Sequence, residues 1–426
     1  MTYTTRMEAW RVIGLLSGTS MDGVDVAAAE LRLRGGEIEM LPLGYRSLPY
    51  PEALHRELVS LTRSEESDAS AWCRLETETS RMFAEAALHG VEELAAGRAD
   101  LVGSLGQTVC HTTARGRTTG TLQLGAPSRV AETTGLPVLS DPRGRDVAAG
   151  GQGAPLAPIL DLLWLGGTPP PSEDARSRGA VLALNLGGVA NITVVDEREP
   201  VAYDTGPGNA LIDAAAELVG AEGGRDTHGA LAARGRVRAD LLAALLADDY
   251  FQAPPPKSTG KERFGARYLR DALTGLPPVP AHDLLATVTE FTVRTVAEAC
   301  AAHEPGLVVA SGGGVANPVL FTGLRRELGR HGARLCTSGR YGLPPKAKEA
   351  YLAALLGFLG LHGIAGNVAS CTGAAGPRVL GSVTPGRWPL RPPAPVETPV
   401  TTLRIPEPGA FPTADREGTC GSSTWR

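Results

Sequence analysis

Asp204 is the residue whose setting could most directly support chemistry. It stands between apolar, strand-like residues and the turn Gly206-Pro207-Gly208, and residues 211–218 then follow with helical spacing. The glycines let a ligand approach the backbone closely and permit φ values that other residues resist. Such a strand–turn–helix would place the carboxylate at the mouth of a cleft, where it could act as a base. The alternative is an aspartate that only caps a turn.

A second turn, rich in glycine and hydroxyl side chains, follows the first apolar stretch. It consists of Ser17, Gly18, Thr19, Ser20, Met21, Asp22, Gly23, Val24 and Asp25. Its N–H groups and hydroxyls could surround the phosphates of a nucleotide, as anion-binding turns do. Asp22 or Asp25 could hold Mg²⁺ through water. An ordinary hairpin loop could have the same composition, so the spacing by itself leaves both interpretations open.

Standard nucleotide-binding and hydrolase motifs are absent from the sequence. Residues 256–261 read Pro-Lys-Ser-Thr-Gly-Lys, which has the letters of a P-loop in the wrong order, and no predicted strand is followed by GxGxxG. Ser20 and Ser104 lack the flanking glycines of a nucleophile elbow. The P-loop, Rossmann and nucleophile-elbow interpretations therefore fail.

The elements around these turns repeat in the two halves of the chain. A strand, a glycine turn and a second strand are predicted at residues 10–33 and again at residues 180–196. Helices are predicted at 51–62, 69–97, 210–218, 230–246, 284–301, 319–328 and 349–360. This alternation predicts an α/β fold with two similar domains that face one another.

The predicted boundaries divide the chain into two domains and a tail. Residues 1–150 and 375–386 form the first domain, and residues 151–374 form the second. A loop at 141–158, dense in Gly, Pro and Arg, is the predicted bridge between them. Residues 387–426 are rich in Pro, Thr and Arg without apolar periodicity, which predicts a disordered tail.

The composition excludes several classes of protein. The 426 residues are 42% hydrophobic and 20% charged with a net charge of −5, as in a soluble globular protein rather than a nucleic-acid-binding one. The six cysteines form no CxxC pair, which favours a reducing cytoplasm, and the eight histidines form no metal-binding motif. The longest apolar segment, residues 351–364, is interrupted by glycine and histidine and predicts a buried helix rather than a membrane span.

Seven motifs, taken together, give the sequence a family resemblance. They are SGTSMDGVD at 17–25, GQT at 106–108, GGQGAPL at 150–156, NLGGVAN at 185–191, DTGPGN at 204–209, PKSTG at 256–260 and SGGG at 311–314. In this order they resemble the signature set of the anhydro-N-acetylmuramic acid kinases, a family of the actin-like and sugar-kinase superfamily. The resemblance covers residues 12–385, nearly the whole chain apart from the tail.

The resemblance implies both a fold and a reaction. The fold is two actin-like (ribonuclease H-like) domains with ATP bound in the cleft between them. The reaction opens the 1,6-anhydro ring of a cell-wall recycling sugar and phosphorylates O6, giving N-acetylmuramic acid 6-phosphate and ADP. An anhydro sugar has no free 6-hydroxyl, so water must attack C1 and a carboxylate must activate that water. By resemblance this base is Asp204, and Glu349 is a second acid that helps to hold the water.

The remaining site residues are assigned from the same resemblance. Residues 18–25 would surround the phosphates, with Mg²⁺ bridging phosphate oxygens beside Asp22 and Asp25. The glycines that would line the nucleotide site are Gly206, Gly208, Gly312, Gly313 and Gly314. Arg143, Gln107 and Thr108 would lie on the sugar side, where the Arg143 guanidinium suits the lactyl carboxylate. The alternative for Arg143 is a solvated linker face.

The sequence departs from the family pattern at three positions. Leu105 stands where the family usually has His, Pro142 where it often has Phe, and Lys346 where it often has an acidic residue. These departures leave two other functions open: a non-catalytic sensor that binds ATP and wall fragments, and a kinase for a different sugar. The expected partners are the amino sugar and ATP, with a homodimer expected from the family and no nucleic acid or membrane.

Overall fold

The computed structural model describes residues 9–63, 68–114, 117–166, 179–195, 200–260 and 262–406. Its strands are β1 (Trp10–Ser17), β2 (Gly23–Arg34), β3 (Glu37–Pro49), β4 (Leu101–Ala114), β5 (Arg117–Leu124), β6 (Val138–Ser140), β7 (Ala180–Leu186), β8 (Val189–Val195), β9 (Val201–Pro207), β10 (Pro305–Ser311), β11 (Arg334–Thr337), β12 (Ser382–Thr384) and β13 (Thr402–Arg404). Its α-helices are α1 (Glu52–Arg63), α2 (Ala69–His89), α3 (Pro127–Thr134), α4 (Pro142–Ala148), α5 (Pro158–Asp161), α6 (Ala210–Leu218), α7 (Ala239–Leu246), α8 (Ala266–Leu273), α9 (Ala281–Ala301), α10 (Pro318–Arg330), α11 (Lys348–Leu361) and α12 (Ala369–Thr372).

The strands form two sheets that share one topology. In the first sheet β1, β2 and β3 are antiparallel neighbours, and β4 and β6 continue from β1 as parallel strands. In the second sheet β7, β8 and β9 are antiparallel neighbours, and β10 and β11 continue from β7 in parallel. A three-stranded meander followed by two parallel strands is the ribonuclease H-like arrangement, so the predicted fold class is confirmed. We call the parts built on the two sheets the first and the second lobe.

Three hydrophobic cores alternate with the two sheets. Helices α1, α2 and α3 cover the outer face of the first sheet, with Leu58 and Phe83 fully buried there. Helices α6, α7, α9 and α10 cover the outer face of the second sheet, with Leu211 and Phe291 fully buried. The central core contains α5, α11 and a π-helical turn at Leu162–Gly166, and it takes side chains from both sheets. The order of layers is therefore helices, sheet, helices, sheet, helices.

The predicted buried helix is α11, which packs on the inner face of the first sheet. Gly14 of β1 and Gly103 of β4 allow this contact, because a Cβ at either position would collide with the carbonyl oxygen of Ala350 or Ala353. The predicted boundaries put these helical residues in the second domain, yet α11 contacts β1, β2 and β4. A helix that is apolar on nearly every side has no polar face from which its neighbours could be predicted.

Residues 387–406 of the predicted tail lie within the described residues and contain the strand β13, which the sequence did not predict. There β13 pairs in parallel with β3 at the edge of the first sheet. Leu403 is fully buried, and the guanidinium of Arg404 lies 3.3 Å from the carboxylate of Glu37. A strand of three residues is too short to show an alternating pattern. Residues 407–426 of the predicted tail lie outside the described residues.

Two further elements differ from the sequence predictions. No strand is predicted at β3, yet it pairs with the whole length of β2. The helix predicted at residues 230–246 begins only at Ala239, because Gly229 adopts a φ of +67° and a 3-10 turn ends at Gly235. Among the described residues, none of the helices has the length and apolar character that spanning a bilayer requires.

Candidate active site

Asp204 lies towards the end of β9 and is held by a loop around residues 250–260. The Asp204 N–H donates a hydrogen bond to the Lys257 carbonyl (3.1 Å), and the Tyr250 hydroxyl donates to the Asp204 carbonyl (2.7 Å). On its other side β9 pairs with β8, where Asn191 is opposite Asp204. The Asp204 backbone is thus fixed between a strand and a loop, and its side chain is half-buried.

The Asp204 carboxylate receives its hydrogen bonds on one oxygen. The Ser258 hydroxyl (2.8 Å) and the Thr259 N–H (3.0 Å) both donate to Oδ2. Within the described ranges no protein group donates to Oδ1, which leaves this oxygen for water or a ligand. Burial raises the pKa of Asp204 and the charge of Glu262 adds to the rise, while the bonds from Thr259 and Ser258 oppose it. A carboxylate with a raised pKa suits a general base.

Replacing Ser258 with Ala is expected to raise the pKa of Asp204 further, because the hydroxyl stabilises the charged carboxylate. A base must be deprotonated to act, so the acidic limb of the pH profile of kcat/KM should move to higher pH. The matched control is Thr259→Val, which keeps the donating backbone N–H and should leave the limb in place. An acidic limb that is the same in Ser258→Ala and the parent would contradict a base at Asp204.

Lys257 anchors the loop that holds Asp204. Its Nζ donates to the Tyr250 carbonyl (3.0 Å) and lies 4.8 Å from the centre of the Tyr250 ring. Burial lowers the pKa of this ammonium group. The Lys-Ser-Thr-Gly run is one of the seven motifs, but its sequence indicates no role for Lys257 or Ser258. The run lies far from Asp204 in the chain, so only the fold could show this contact.

Three glycine turns meet at one edge of the second sheet, at the ends of β7, β9 and β10. A Cβ at Gly312, whose φ is +88°, would lie 2.6 Å from the Asn185 side chain. Gly208 and Gly314 contact the same β7 turn, where a Cβ would collide with the Gly187 carbonyl or the Leu186 side chain. The turns that carry Gly206, Gly208, Gly312, Gly313 and Gly314 therefore lie at one edge of the sheet, and Gly313 is exposed and faces open space.

The predicted phosphate-binding turn is a tight loop between β1 and β2. The Met21 N–H donates to the Gly18 carbonyl (3.1 Å), and Met21 adopts a φ of +55°, which is unusual for a side chain of its size. The Ser20 hydroxyl donates to the Asp22 carboxylate (2.8 Å), and the His55 ring bonds the Met21 carbonyl from α1 (2.8 Å). Thr19 at its tip is exposed. The turn is thus held from behind while its tip faces solvent.

Gln107 of β4 supports this turn, and its predicted contact with the sugar stays a prediction. It is fully buried, its Oε1 accepts a bond from the Ser17 hydroxyl (2.6 Å), and its Nε2 donates to the Gly18 carbonyl (3.2 Å). A glutamine suits both a ligand contact and a structural contact of this kind, so the sequence alone does not separate the two. Thr108 is half-buried and pairs with Gln123 of β5.

The two acids of the phosphate turn lie in different surroundings. The Asp22 carboxylate is 3.1 Å from the guanidinium of Arg225. Burial acts to raise the pKa of Asp22, but the hydrogen bond from Ser20 and the interaction with Arg225 outweigh it, so the pKa is lowered. Burial raises the pKa of Asp25, whose carboxylate accepts a bond from the Tyr45 hydroxyl (2.9 Å) and is influenced by Lys346. No group of three acidic, His or Cys side chains suited to a metal occurs among the described residues. This donor set fits Mg²⁺, which needs only one or two carboxylates when phosphates and water complete its shell.

Glu349 and Arg143 lie close enough for the charge of each to influence the pKa of the other. Glu349 lies in the first turn of α11 and is exposed to solvent. Even so, the surrounding protein desolvates its carboxylate, and this raises the pKa of Glu349. The positive charges of Lys348 and Arg143 oppose the rise. Arg143 lies in the first turn of α4 and donates to the Gly153 carbonyl (2.7 Å). Its Nε is buried with no hydrogen-bond partner in the described part of the chain, so it could receive an anionic ligand group. Burial lowers the pKa of Arg143.

The predicted residues thus fall into separate groups of contacts. Asp204 interacts with the 250–262 segment of the second lobe, whereas Glu349 interacts with Arg143 and Asp25 of the first lobe as well as its neighbours in the centre. A cavity of about 740 Å³ lies along β11, and none of its lining residues is a predicted site residue.

A family profile described as anhydro-N-acetylmuramic acid kinase matches residues 10–386. This chain belongs to the anhydro-N-acetylmuramic acid kinase family. It is 52% identical to the anhydro-N-acetylmuramic acid kinase of Streptomyces avermitilis, over 89% of this chain and 96% of that protein. It is 46% identical to the enzyme of that name from Rhodococcus erythropolis (88% and 94% covered) and 38% identical to that from Pseudomonas paraeruginosa (88% and 99%).

Several solved structures are also similar to this chain, at low sequence identity. One is the activator of 2-hydroxyisocaproyl-CoA dehydratase from Clostridium difficile with bound ADPNP, with a TM-score of 0.38 and 11% identity over 82% of this chain and 94% of that one. Another is a ROK family glucokinase from Streptomyces griseus in complex with glucose and AMPPNP, with a TM-score of 0.37 and 14% identity over 82% and 99%.

Within this anhydro-N-acetylmuramic acid kinase family, the three sequence departures occupy different surroundings. Leu105 is buried in the central core, and Pro142 is buried at the start of α4 beside Arg143. Lys346 is exposed and its charge opposes the rise in the pKa of Asp25. None of the three residues contacts the Asp204 carboxylate in the described part of the chain. The departures therefore do not alter the hydrogen bonds that Asp204 accepts from Ser258 and Thr259.

Proposed function

We propose that this protein uses ATP to phosphorylate O6 of 1,6-anhydro-N-acetylmuramic acid while water opens the anhydro ring, giving N-acetylmuramic acid 6-phosphate and ADP. The observation that carries the proposal is the Asp204 carboxylate. Burial raises its pKa, Ser258 and Thr259 hold Oδ2, and Oδ1 accepts no bond within the described part of the chain. It lies two residues before Gly206, on the strand whose end joins the glycine turns.

The bond changes in this reaction require such a base. A bond forms between the water oxygen and C1, the C1–O6 bond breaks, and O6 forms a bond to the γ-phosphorus as ADP leaves. A water proton passes to Asp204. The negative charge that O6 would carry is taken up by the phosphoryl group, so the protein must position the two reactants and accept one proton.

Other residues support this assignment of the sugar side. We propose that Glu349 helps to hold the attacking water, because its carboxylate is solvent-accessible and its pKa is raised by desolvation. We propose that Arg143 binds the lactyl carboxylate of the sugar, since its buried Nε has no hydrogen-bond partner among the described residues. Gln107 would act indirectly, by holding the phosphate turn through Ser17 and Gly18.

The nucleotide side is assigned to the phosphate turn of residues 18–25 and the glycine turns of the second lobe. The glycines let a ligand approach the backbone N–H groups, which bind phosphate oxygens well. Asp22 and Asp25 would hold Mg²⁺ through water. When bound, this ion would neutralise charge on the phosphate oxygens. The cell-wall recycling role, the cytoplasmic location and the homodimer stay predictions.

A coupled assay of ADP release over a panel of sugars tests the proposal. We expect ADP release that depends on 1,6-anhydro-N-acetylmuramic acid and little release with sugars that carry a free 6-hydroxyl. Release with a free-hydroxyl sugar alone would favour a kinase for another substrate. Binding of ATP and the anhydro sugar with no ADP release would favour the sensor.

A further inference from the structure

An ion pair connects the phosphate turn of the first lobe to the second lobe. The Arg225 Nη2 lies 3.1 Å from the Asp22 Oδ2, and the two side chains are 60% and 52% exposed. An exposed pair of this kind contributes little to stability. Arg225 can therefore exchange its partner at little energetic cost.

The backbone that follows Arg225 is held in place beside the glycine turn after β10. Both oxygens of the Asp226 carboxylate accept bonds from the backbone N–H groups of Leu231 and Ala232 (2.7 and 3.0 Å). The His228 ring bonds the Ala316 carbonyl (3.4 Å), and Gly229 is packed so tightly that a Cβ would collide with the Asn317 side chain. Arg225 thus extends from the glycine turn after β10, which is assigned to the nucleotide site, to the turn assigned to the phosphates.

The phosphate turn itself has no cationic side chain. Residues 17–25 include no Lys or Arg but do include Asp22 and Asp25. A nucleoside triphosphate bound there would face two carboxylates. Backbone N–H groups would offset only part of the negative charge of its phosphates. A guanidinium can bind phosphate oxygens in a bidentate manner, with greater strength than a neutral donor.

We propose that Arg225 binds the phosphate chain of the nucleotide from the second lobe and releases Asp22 when it does so. This inference rests on the proposed function, in that ATP occupies the cleft. It assigns Arg225 as a nucleotide-binding residue, and it assigns Asp22 as the group that holds Arg225 over the turn before the nucleotide arrives.

Binding measurements without Mg²⁺ test this role separately from turnover. Isothermal titration of ATP and of adenosine, in EDTA, would compare the parent with Arg225→Ala, Arg225→Lys, Asp22→Asn and the control Arg234→Ala, an exposed arginine of the same lobe. We expect Arg225→Ala to weaken ATP binding about 10-fold or more, because a charged hydrogen bond is lost, and to leave adenosine binding unchanged. Arg225→Lys should recover part of the loss, and Arg234→Ala should bind like the parent. Asp22→Asn should bind ATP as well as the parent or more tightly, since the competing carboxylate is neutralised.

Three other results would overturn the inference. One is equal ATP binding by Arg225→Ala and the parent. A second is equal weakening by Arg225→Ala and Asp22→Asn, which would show that the ion pair only supports the turn. A third is a parent protein that binds no ATP, which would overturn the proposed function as well, whereas the first two leave that function standing.

Discussion

Replacing Asp204 with Asn is expected to lower kcat by about 10²–10⁴-fold, because the amide cannot accept the proton of the attacking water. The Asn side chain is nearly isosteric, and its oxygen can still accept the bonds from Ser258 and Thr259. ATP affinity should therefore stay within about twofold of the parent. Turnover by the coupled ADP assay and ATP binding by titration, on the same preparation, measure the two effects.

The same variant should fold at least as stably as the parent at neutral pH. Because burial raises the pKa of Asp204 in the folded protein above its ordinary value of 3.8, ionisation at higher pH costs folding free energy that a neutral amide avoids. The control is Glu217→Gln, which removes an exposed carboxylate of α6 and should leave kcat unchanged. Normal turnover by Asp204→Asn would show that the base lies elsewhere.

Replacing Lys348 with Met is expected to lower the free energy of unfolding by about 3–5 kcal/mol, the usual effect of breaking a buried ion pair. The Lys348 Nζ lies 2.5 Å from the Asp161 carboxylate, and the two side chains are only 5% and 2% exposed. The Thr193 hydroxyl of β8 also donates to Asp161 (2.9 Å). The pair therefore ties the helix that carries Glu349 to the second sheet. Urea denaturation monitored by circular dichroism measures the change.

A double variant separates loss of the pair from loss of the lysine. Lys348→Met combined with Asp161→Asn leaves no unpaired charge, and the amide oxygen still accepts the bond from Thr193. We expect the double variant to be more stable than Lys348→Met alone. If the single variant were as stable as the parent, the buried pair would have no part in joining the lobes.

The sequence predicted the turns of the site better than the side chains that complete it. The apolar stretches before Gly18, Gly206 and Gly312 have the composition of buried strands, and each ends in a glycine turn whose conformation few other residues tolerate. Local chemistry is sufficient for such features. The two similar lobes were therefore predictable from a pattern that recurs in both halves of the chain.

Contacts between distant segments were not predictable in the same way. Ser258 reaches Asp204 only because the loop of residues 250–260 folds back over β9, and no local pattern indicates that path. The amide of Gln107 could bind a sugar, but in the structure it is fully buried and accepts a hydrogen bond from the Ser17 hydroxyl. The position of α11 on the first sheet depends on Gly103, whose missing side chain matters only once the helix is there.

We propose that water attacks C1 while O6 takes the phosphoryl group. The most direct test is to carry out the reaction in H₂¹⁸O and to find which atom of the product carries ¹⁸O. Mass spectrometry of rapidly quenched product would separate the sugar from the phosphate, with unlabelled product incubated for the same time as the control for exchange. We expect ¹⁸O at C1 of the sugar and none in the phosphoryl group. Label in the phosphate, or an unlabelled sugar, would contradict it.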